Sequence, residues 1–152
     1  CHNKTEEAKA IEQELKQYAI NLGIEKYVLF LGTVENMLEV IRSIDICLYP
    51  VKSMYNKMDI PLVLLECMAY AKPIILTDIG PLKELVKEDI GFTVEPDDVN
   101  SITKYILELL QSNDLRMLKG FNGRKVVQKH FNMKILAKEY EELYHELLNK
   151  EI

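Results

Sequence analysis

The sequence predicts an α/β protein in which a Rossmann-like parallel sheet forms the middle of a three-layer α/β/α arrangement. Short, wholly apolar segments, typical of strands buried on both faces, alternate with segments of helical periodicity. With 152 residues, 48% of them apolar, the chain is long enough for one domain with a sizeable core. We therefore predict a single domain over residues 1–152, of which residues 113–152 form a helical extension.

The first half of the chain predicts two helices that alternate with two strands. In order, these are a helix over residues 5–23, a strand in "YVLFLG" (27–32), a helix in "VENMLEVIRS" (34–43) and a strand in "DICLYP" (45–50). Thr5 and Gly23 are the residue types that favour the N-cap and C-cap of the first helix. The apolar strands without polar alternation indicate a sheet covered on both sides.

The second half continues the alternation and then becomes helical. The predicted order is a helix over 61–71, a strand in "PIIL" (73–76), a short helix in "GPLKELVKE" (80–88), a strand in "GFTVEP" (91–96) and helices over 98–112, 113–130 and 133–149. Pro61 suits the first helical position, because the N–H group it lacks would have no partner there.

Composition and charge exclude several classes of protein. A net charge of −5 gives no reason to expect nucleic acid or an anionic membrane surface as the main partner. No segment approaches the roughly 18 apolar residues of a membrane span, and no signal peptide is visible. Cys47 and Cys67 are predicted to be buried thiols in a reducing compartment, and their spacing does not indicate a metal site. These features predict a cytoplasmic protein.

The strand-to-helix junctions are where an open parallel sheet binds ligands. The junction "YPVKSMYNKMDIP" (49–61) is longer than usual, which is typical of functional loops. The free N–H groups of Leu62, Val63 and Leu64 at the start of the next helix predict an anion site. Glu66 interrupts the apolar run "IPLVLLECMA" and either binds neighbouring hydroxyl groups of a ligand or forms a cap or salt bridge.

The segments "VLFLGTVENMLEVIRSIDICLYP", "IPLVLLECMAYAKPIILTDIGPLKELV" and "GFTVEPDD" together resemble the C-terminal domain of GT-B retaining glycosyltransferases of the group 1 family. The resemblance implies a domain that binds a nucleotide-sugar donor for hexosyl transfer to a polysaccharide, a glycolipid or a similar acceptor. It implies neither a metal nor another cofactor. It also implies that Thr33 and Val34 meet the nucleobase.

For the helix that begins at Pro61, the resemblance implies that the amides of Leu62 and Val63 hold the diphosphate. Glu66 matches the second acid of the E-x7-E motif, which binds the ribose hydroxyls. The first acid of that motif falls on Met58, and Asp59 stands one position later. Asp59 either replaces the missing acid, as the one catalytic candidate, or caps the helix. The usual glycine of the family before "PII" is replaced by Ala71.

The resemblance also implies that this chain lacks parts of the complete enzyme, namely the first strands of the domain, an Arg and a Lys that clamp the phosphates, and the N-terminal acceptor domain. We therefore expect the chain alone to be inactive. The missing domain is the partner that would attach the enzyme to the inner face of a membrane. An unpaired sheet edge and the apolar stripe of the last helix predict either a homodimer or poor solubility of the isolated chain. The alternative is a degenerate, non-catalytic module kept for protein contacts.

Overall fold

The computed structural model describes residues 6–54, 60–86 and 89–150. The helices are α1 (Glu6–Asn21), α2 (Met37–Ser43), α3 (Leu62–Ala69), α4 (Leu82–Leu85), α5 (Val99–Gln111), α6 (Asn113–His130) and α7 (Met133–Lys150). The strands are β1 (Cys47–Tyr49), β2 (Ile74–Thr77) and β3 (Gly91–Val94). Contacts divide the chain into two compact units, residues 1–37 and 38–152.

In the second unit, the three strands form a parallel sheet in the order β1-β2-β3. Cys47 is paired with Ile74 on one side of the central strand, and Ile74 is paired with Gly91 on the other. All four residues of β2 are buried. The predicted strands at 45–50, 73–76 and 91–96 are thus confirmed, because a strand buried on both faces has the continuous apolar pattern that identified them.

The prediction of a strand over residues 27–32 is wrong. Residues Glu25–Tyr27 form a 3₁₀ turn, and the residues after it form no strand in the described part of the chain. A strand is defined by its hydrogen bonds to a neighbouring strand. A short apolar segment does not by itself show whether such a neighbour exists. The side chain of Leu29 is 81% exposed, unlike that of a strand buried on both faces.

Helix α1 is the main element of the first unit, and its C-terminal end has the predicted glycine cap. The N–H of Ile24 donates to the carbonyl of Ala19 at 3.0 Å, and the N–H of Gly23 donates to that of Ile20 at 2.9 Å. This is a Schellman motif, in which the residue after the helix needs a positive φ. Gly23 has φ +68°, so its C-cap role is confirmed, whereas the predicted N-cap Thr5 lies outside the described residues.

The sheet of the second unit has a separate apolar cluster on each face. On one face, Ile74 and Leu76 pack with Leu64 and Met68 of α3. On the other face, Ile75 packs with Val94 and with Leu109 of α5. Adjacent residues of β2 point to opposite faces, so this one strand contributes to both clusters. The predicted three-layer α/β/α arrangement is therefore confirmed.

The last three helices confirm the predicted helical C-terminal part. Asp98 caps α5 by accepting a hydrogen bond from the N–H of Ser101 at 3.0 Å, and hydrogen bonds from Ser101 lower the pKa of Asp98. Ser112 ends α5 and caps α6, accepting from the N–H of Leu115 at 3.2 Å.

On α7, the predicted apolar stripe remains exposed, including Tyr140 and Leu147. None of the helices within the described ranges is long and apolar enough to cross a membrane.

The turn after α3 places a non-glycine residue in the left-handed region. Ala71 has φ +56° and follows the helix in a second Schellman motif, in which the N–H of Lys72 donates to the carbonyl of Cys67 at 2.9 Å. A side chain with a Cβ is strained there, whereas glycine is not. The position at which the family's glycine is replaced therefore keeps the conformation that glycine favours.

We expect Ala71→Gly to stabilise the protein by about 1 kcal/mol, because the released strain exceeds the entropy that glycine adds to the unfolded chain. Urea unfolding of both proteins measures the change. The matched control is Ala69→Gly in the last turn of α3, where glycine costs about 1 kcal/mol. Equal destabilisation by the two substitutions would contradict the assignment of strain to Ala71.

Candidate nucleotide-sugar site

The carboxyl ends of the three parallel strands bring three loops to one edge of the sheet. These loops follow β1 at Pro50, β2 at Asp78 and β3 at Glu95. The N–H of Asp78 donates to the carbonyl of Val94 at 2.7 Å, which joins the second loop to the end of β3. Ligands of open parallel sheets bind at this edge. Helix α3, at whose start the sequence predicts an anion site, follows the first of these loops.

An ion pair that the sequence did not indicate joins the first of these loops to the third. The ammonium of Lys52 lies 2.7 Å from a carboxylate oxygen of Asp97. The two residues are far apart in sequence, and no spacing rule connects them. Both side chains are mostly exposed, so the pair contributes little to stability and serves mainly to relate the two loops.

The start of α3 differs from the prediction in two details. The helix begins one residue later than predicted, and one of the three N–H groups predicted to be free is hydrogen-bonded. Pro61 is the N-cap, with extended dihedral angles of φ −62° and ψ 128°, so the first helical residue is Leu62. The N–H of Leu64 was predicted to be free, but it donates to the carbonyl of Pro61 at 3.0 Å and closes the first turn. The N–H groups of Leu62 and Val63 have no acceptor among residues 6–54, 60–86 and 89–150. Two amides and the positive helix end therefore remain for an anion.

Glu66 lies one turn further along the same helix. It follows Leu62 by four positions, so the two share one face of α3, whereas Leu64 and Met68 are fully buried in the core. The Glu66 side chain is half-buried and has no hydrogen-bond or ion-pair partner within the described ranges. The salt bridge considered as an alternative role is therefore not formed with any described residue. A carboxylate so placed can accept two hydrogen bonds from a ligand.

The remaining predicted residues belong to the first unit or lie outside the described residues. In the first unit, Thr33 is exposed and Val34 is half-buried, directly after Gly32, which has φ +64°. Their contact with a nucleobase remains a prediction. Met58 and Asp59 lie outside the described residues, so both interpretations of Asp59 also remain predictions.

The two cysteines of the second unit lie behind this site. Cys47 and Cys67 are free thiols, and both are buried, as predicted. A hydrogen bond from Cys47 lowers the pKa of Cys67, whereas burial and the charge of Glu66 raise it. The pKa of Cys47 is raised, first by its hydrogen bond to Cys67 and then by burial. The pair thus joins β1 to the buried side of α3, at the residue next to Glu66.

Solved structures with the same fold define the class of protein. Sucrose-phosphate synthase from Thermosynechococcus elongatus aligns with a TM-score of 0.78 and 27% identity, over 93% of this chain and 35% of that one. The C-terminal domain of a glycosyl transferase group 1 family protein from Francisella tularensis aligns with a TM-score of 0.72 and 26% identity, over 85% and 66% of the two chains. HepE from Anabaena, in complex with UDP, gives a TM-score of 0.84 at 19% identity, over 93% and 38%, and shows a likeness of fold alone. The fold is that of GT-B glycosyltransferases.

The family model for glycosyl transferases group 1 matches residues 5–112, and the chain belongs to that family. N-acetyl-alpha-D-glucosaminyl L-malate synthase of Bacillus anthracis is 32% identical over 133 residues, which are 87% of this chain and 34% of the relative. The lipopolysaccharide core biosynthesis mannosyltransferase LpsB of Rhizobium meliloti is 25% identical over 142 residues, or 91% and 39% of the two chains. The chain therefore spans about a third of the length of these relatives.

Proposed function

We propose that this chain is the donor-binding part of a longer retaining glycosyltransferase and that it holds the nucleoside diphosphate of a nucleotide sugar at the start of α3. The observation that carries the proposal is the arrangement of one helix end. Two backbone amides, at Leu62 and Val63, have no acceptor among the described residues, and the Glu66 carboxylate lies one turn away on the same side. This arrangement matches a diphosphate joined to a ribose.

The chemistry of the donor explains why both groups are needed. When the bond between the sugar and the diphosphate breaks, negative charge develops on the departing phosphate oxygens. Fixed amides at a helix N-terminus stabilise that charge without reorganising, and no metal ion is needed for this contribution. The Glu66 carboxylate would accept hydrogen bonds from the two ribose hydroxyls and so fix the nucleotide in register with the amides.

The names of the relatives support a choice of acceptor. Besides LpsB, the similar proteins include the capsular polysaccharide biosynthesis glycosyltransferase CapM of Staphylococcus aureus, which is 34% identical over 89 residues, or 58% of this chain and 23% of the relative. We therefore propose a polysaccharide or glycolipid acceptor for the complete enzyme. Transfer would retain the anomeric configuration and take place in the cytoplasm. The chain alone would bind nucleotide without transferring sugar, because the acceptor domain would be supplied by the rest of the enzyme.

The test is a calorimetric titration of the chain with UDP, GDP and ADP, beside Glu66→Ala. We expect one nucleotide to bind with a dissociation constant of about 1 mM, which corresponds to about 4 kcal/mol. Because hydrogen bonds to a charged group contribute about 1.5–3 kcal/mol, Glu66→Ala should weaken binding at least about tenfold. The nucleotide that binds best would identify the base of the donor.

The matched control is Glu146→Ala on α7, which removes the same charge from an exposed helical position. It should bind the nucleotide as the unmodified chain does. Equal loss in both variants would point to net charge instead of a ribose contact. A folded chain that binds none of the three nucleotides would contradict the proposal and favour the non-catalytic module that the sequence left open as the alternative.

A further inference from the structure

The exposed face of α6 presents both large apolar side chains and cations. Its first half presents Met117, Leu118 and Phe121, which are 65%, 57% and 54% exposed. Its second half presents Arg124 and Lys129, and Lys125 lies beside them. The opposite face of the helix, which includes Gly120 and Gly123, is buried. Large apolar side chains with this exposure, next to a cluster of cations, indicate an interaction surface.

The cations of this face are not paired with acidic side chains of the described residues. Arg124, Lys125 and Lys129 have no acidic partner among residues 6–54, 60–86 and 89–150, and the Lys125 ammonium lies 4.4 Å from the centre of the Phe121 ring. The 18 residues of α6 contain five Lys or Arg residues and one acid, Asp114, in a chain whose net charge is −5. The positive charge is therefore local to this helix.

The preceding helix ends next to the start of α6 and carries a further exposed apolar side chain. Leu110, in the last turn of α5, is 56% exposed. The guanidinium of Arg116 on α6 donates to the carbonyls of Leu109 and Leu110, the latter at 3.0 Å, and so ties the end of α5 to the first turns of α6. Ser112 caps α6 at the same corner. The corner therefore presents apolar side chains from both helices on a fixed backbone.

We infer that this α5–α6 corner, with the exposed face of α6, docks the protein on a membrane surface that contains anionic phospholipids. Interfacial helices place large apolar side chains at the boundary between headgroups and acyl chains, while Lys and Arg contact phosphates. The three cations have long side chains and no acidic partner within the described ranges. That suits a fluid array of phosphates better than the fixed carboxylates of a folded partner. The inference does not depend on nucleotide binding at α3.

The absence of tryptophan from the sequence allows a site-specific test. Phe121→Trp gives the chain a single tryptophan, on this face, whose emission can be excited selectively. We expect its emission to shift to the blue on addition of vesicles of phosphatidylcholine and phosphatidylglycerol, and not with phosphatidylcholine alone. The matched reporter is Leu148→Trp on α7, which replaces a residue of similar exposure, 65%, and should not shift.

The contribution of the cations is tested by sedimentation with the same vesicles. Arg124→Gln with Lys125→Gln should lower the partition coefficient about 25-fold, since each cation contributes about fivefold. Lys134→Gln on α7 is the control, and thermal melts verify that each variant is folded. The inference would be overturned if the unmodified chain did not sediment with the vesicles. It would also be overturned if the chain sedimented but the emission of Phe121→Trp did not shift. A shift induced by an acidic polypeptide but not by vesicles would overturn it as well, and would assign the face to a protein partner.

Discussion

Gly120→Ala should destabilise the protein by about 3 kcal/mol, although the same substitution in an isolated helix would be stabilising. A Cβ at position 120 would overlap the backbone carbonyl of Ala71, at the turn that follows α3. The carbonyl cannot give way easily, because Ala71 is already held in the left-handed region by the hydrogen bonds of the Schellman motif. Helix α6 would have to move away from α3.

That movement would reach the core and the candidate site. Met68 and Leu64 of α3 are fully buried and pack directly against the central strand. A displaced α6 would open voids beside α3, and voids in a core are expensive because the lining atoms lose their contacts. The change would be measured by urea unfolding monitored by circular dichroism.

Gly123→Ala is the control that isolates this cause. Gly123 lies one turn further on the same buried face of α6, but the nearest atom that a Cβ there would meet is a side-chain carbon of Met68 at 3.5 Å, an ordinary contact distance. We expect this variant to be more stable than the unmodified chain by about 0.5–1 kcal/mol, the usual gain of alanine over glycine in a helix. If both substitutions changed stability by the same amount and sign, close approach at Gly120 would not be the reason for its glycine.

Gly120 and Gly123 illustrate which features of the structure could not be predicted from the sequence. Each segment that buries both faces, such as β2, was predicted, because burial imposes a continuous apolar pattern on the segment itself. The contact between Gly120 and Ala71 depends on two segments that are distant in sequence. The positive φ at Ala71 agrees with the family's usual glycine there, but nothing in the sequence identifies the helix that packs on it. Tertiary contacts of this kind leave no periodic signal.

In the candidate site, too, local features could be predicted from the sequence, whereas hydrogen bonds and contacts that depend on the folded structure could not. The position of α3 and the placement of Glu66 on it could be predicted, because both follow from Pro61 and from helical spacing. The Leu64 amide could not be assigned correctly, since only the structure shows the tight first turn that uses it. The Lys52–Asp97 pair joins two loops and was invisible for the same reason as the glycine contact. The false strand at 27–32 came from an apolar run judged without a pairing partner.

Leu62→Pro should weaken nucleotide binding about 10- to 100-fold while leaving the fold intact. Proline at the first helical position removes one N–H that has no intrahelical acceptor, so the helix loses nothing by it. A proline also requires an extended residue before it, and Pro61 already has ψ 128°. The substitution therefore deletes one proposed diphosphate contact and changes little else. A hydrogen bond to a charged group contributes about 1.5–3 kcal/mol, which gives the expected loss.

Leu62→Ala separates the amide from the side chain. It truncates the same residue, whose side chain is exposed, but keeps the N–H. The alanine variant should therefore bind as the unmodified chain does. Both variants would be titrated with the nucleotide that binds best. The amide shift of residue 63 would be followed in NMR spectra of both variants, and that of residue 62 in the alanine variant. Equal weakening by alanine and proline would assign the contact to the leucine side chain. If the proline variant bound the nucleotide normally while Glu66→Ala bound it weakly, the ribose contact would be supported. The diphosphate would then not be bound by the Leu62 amide.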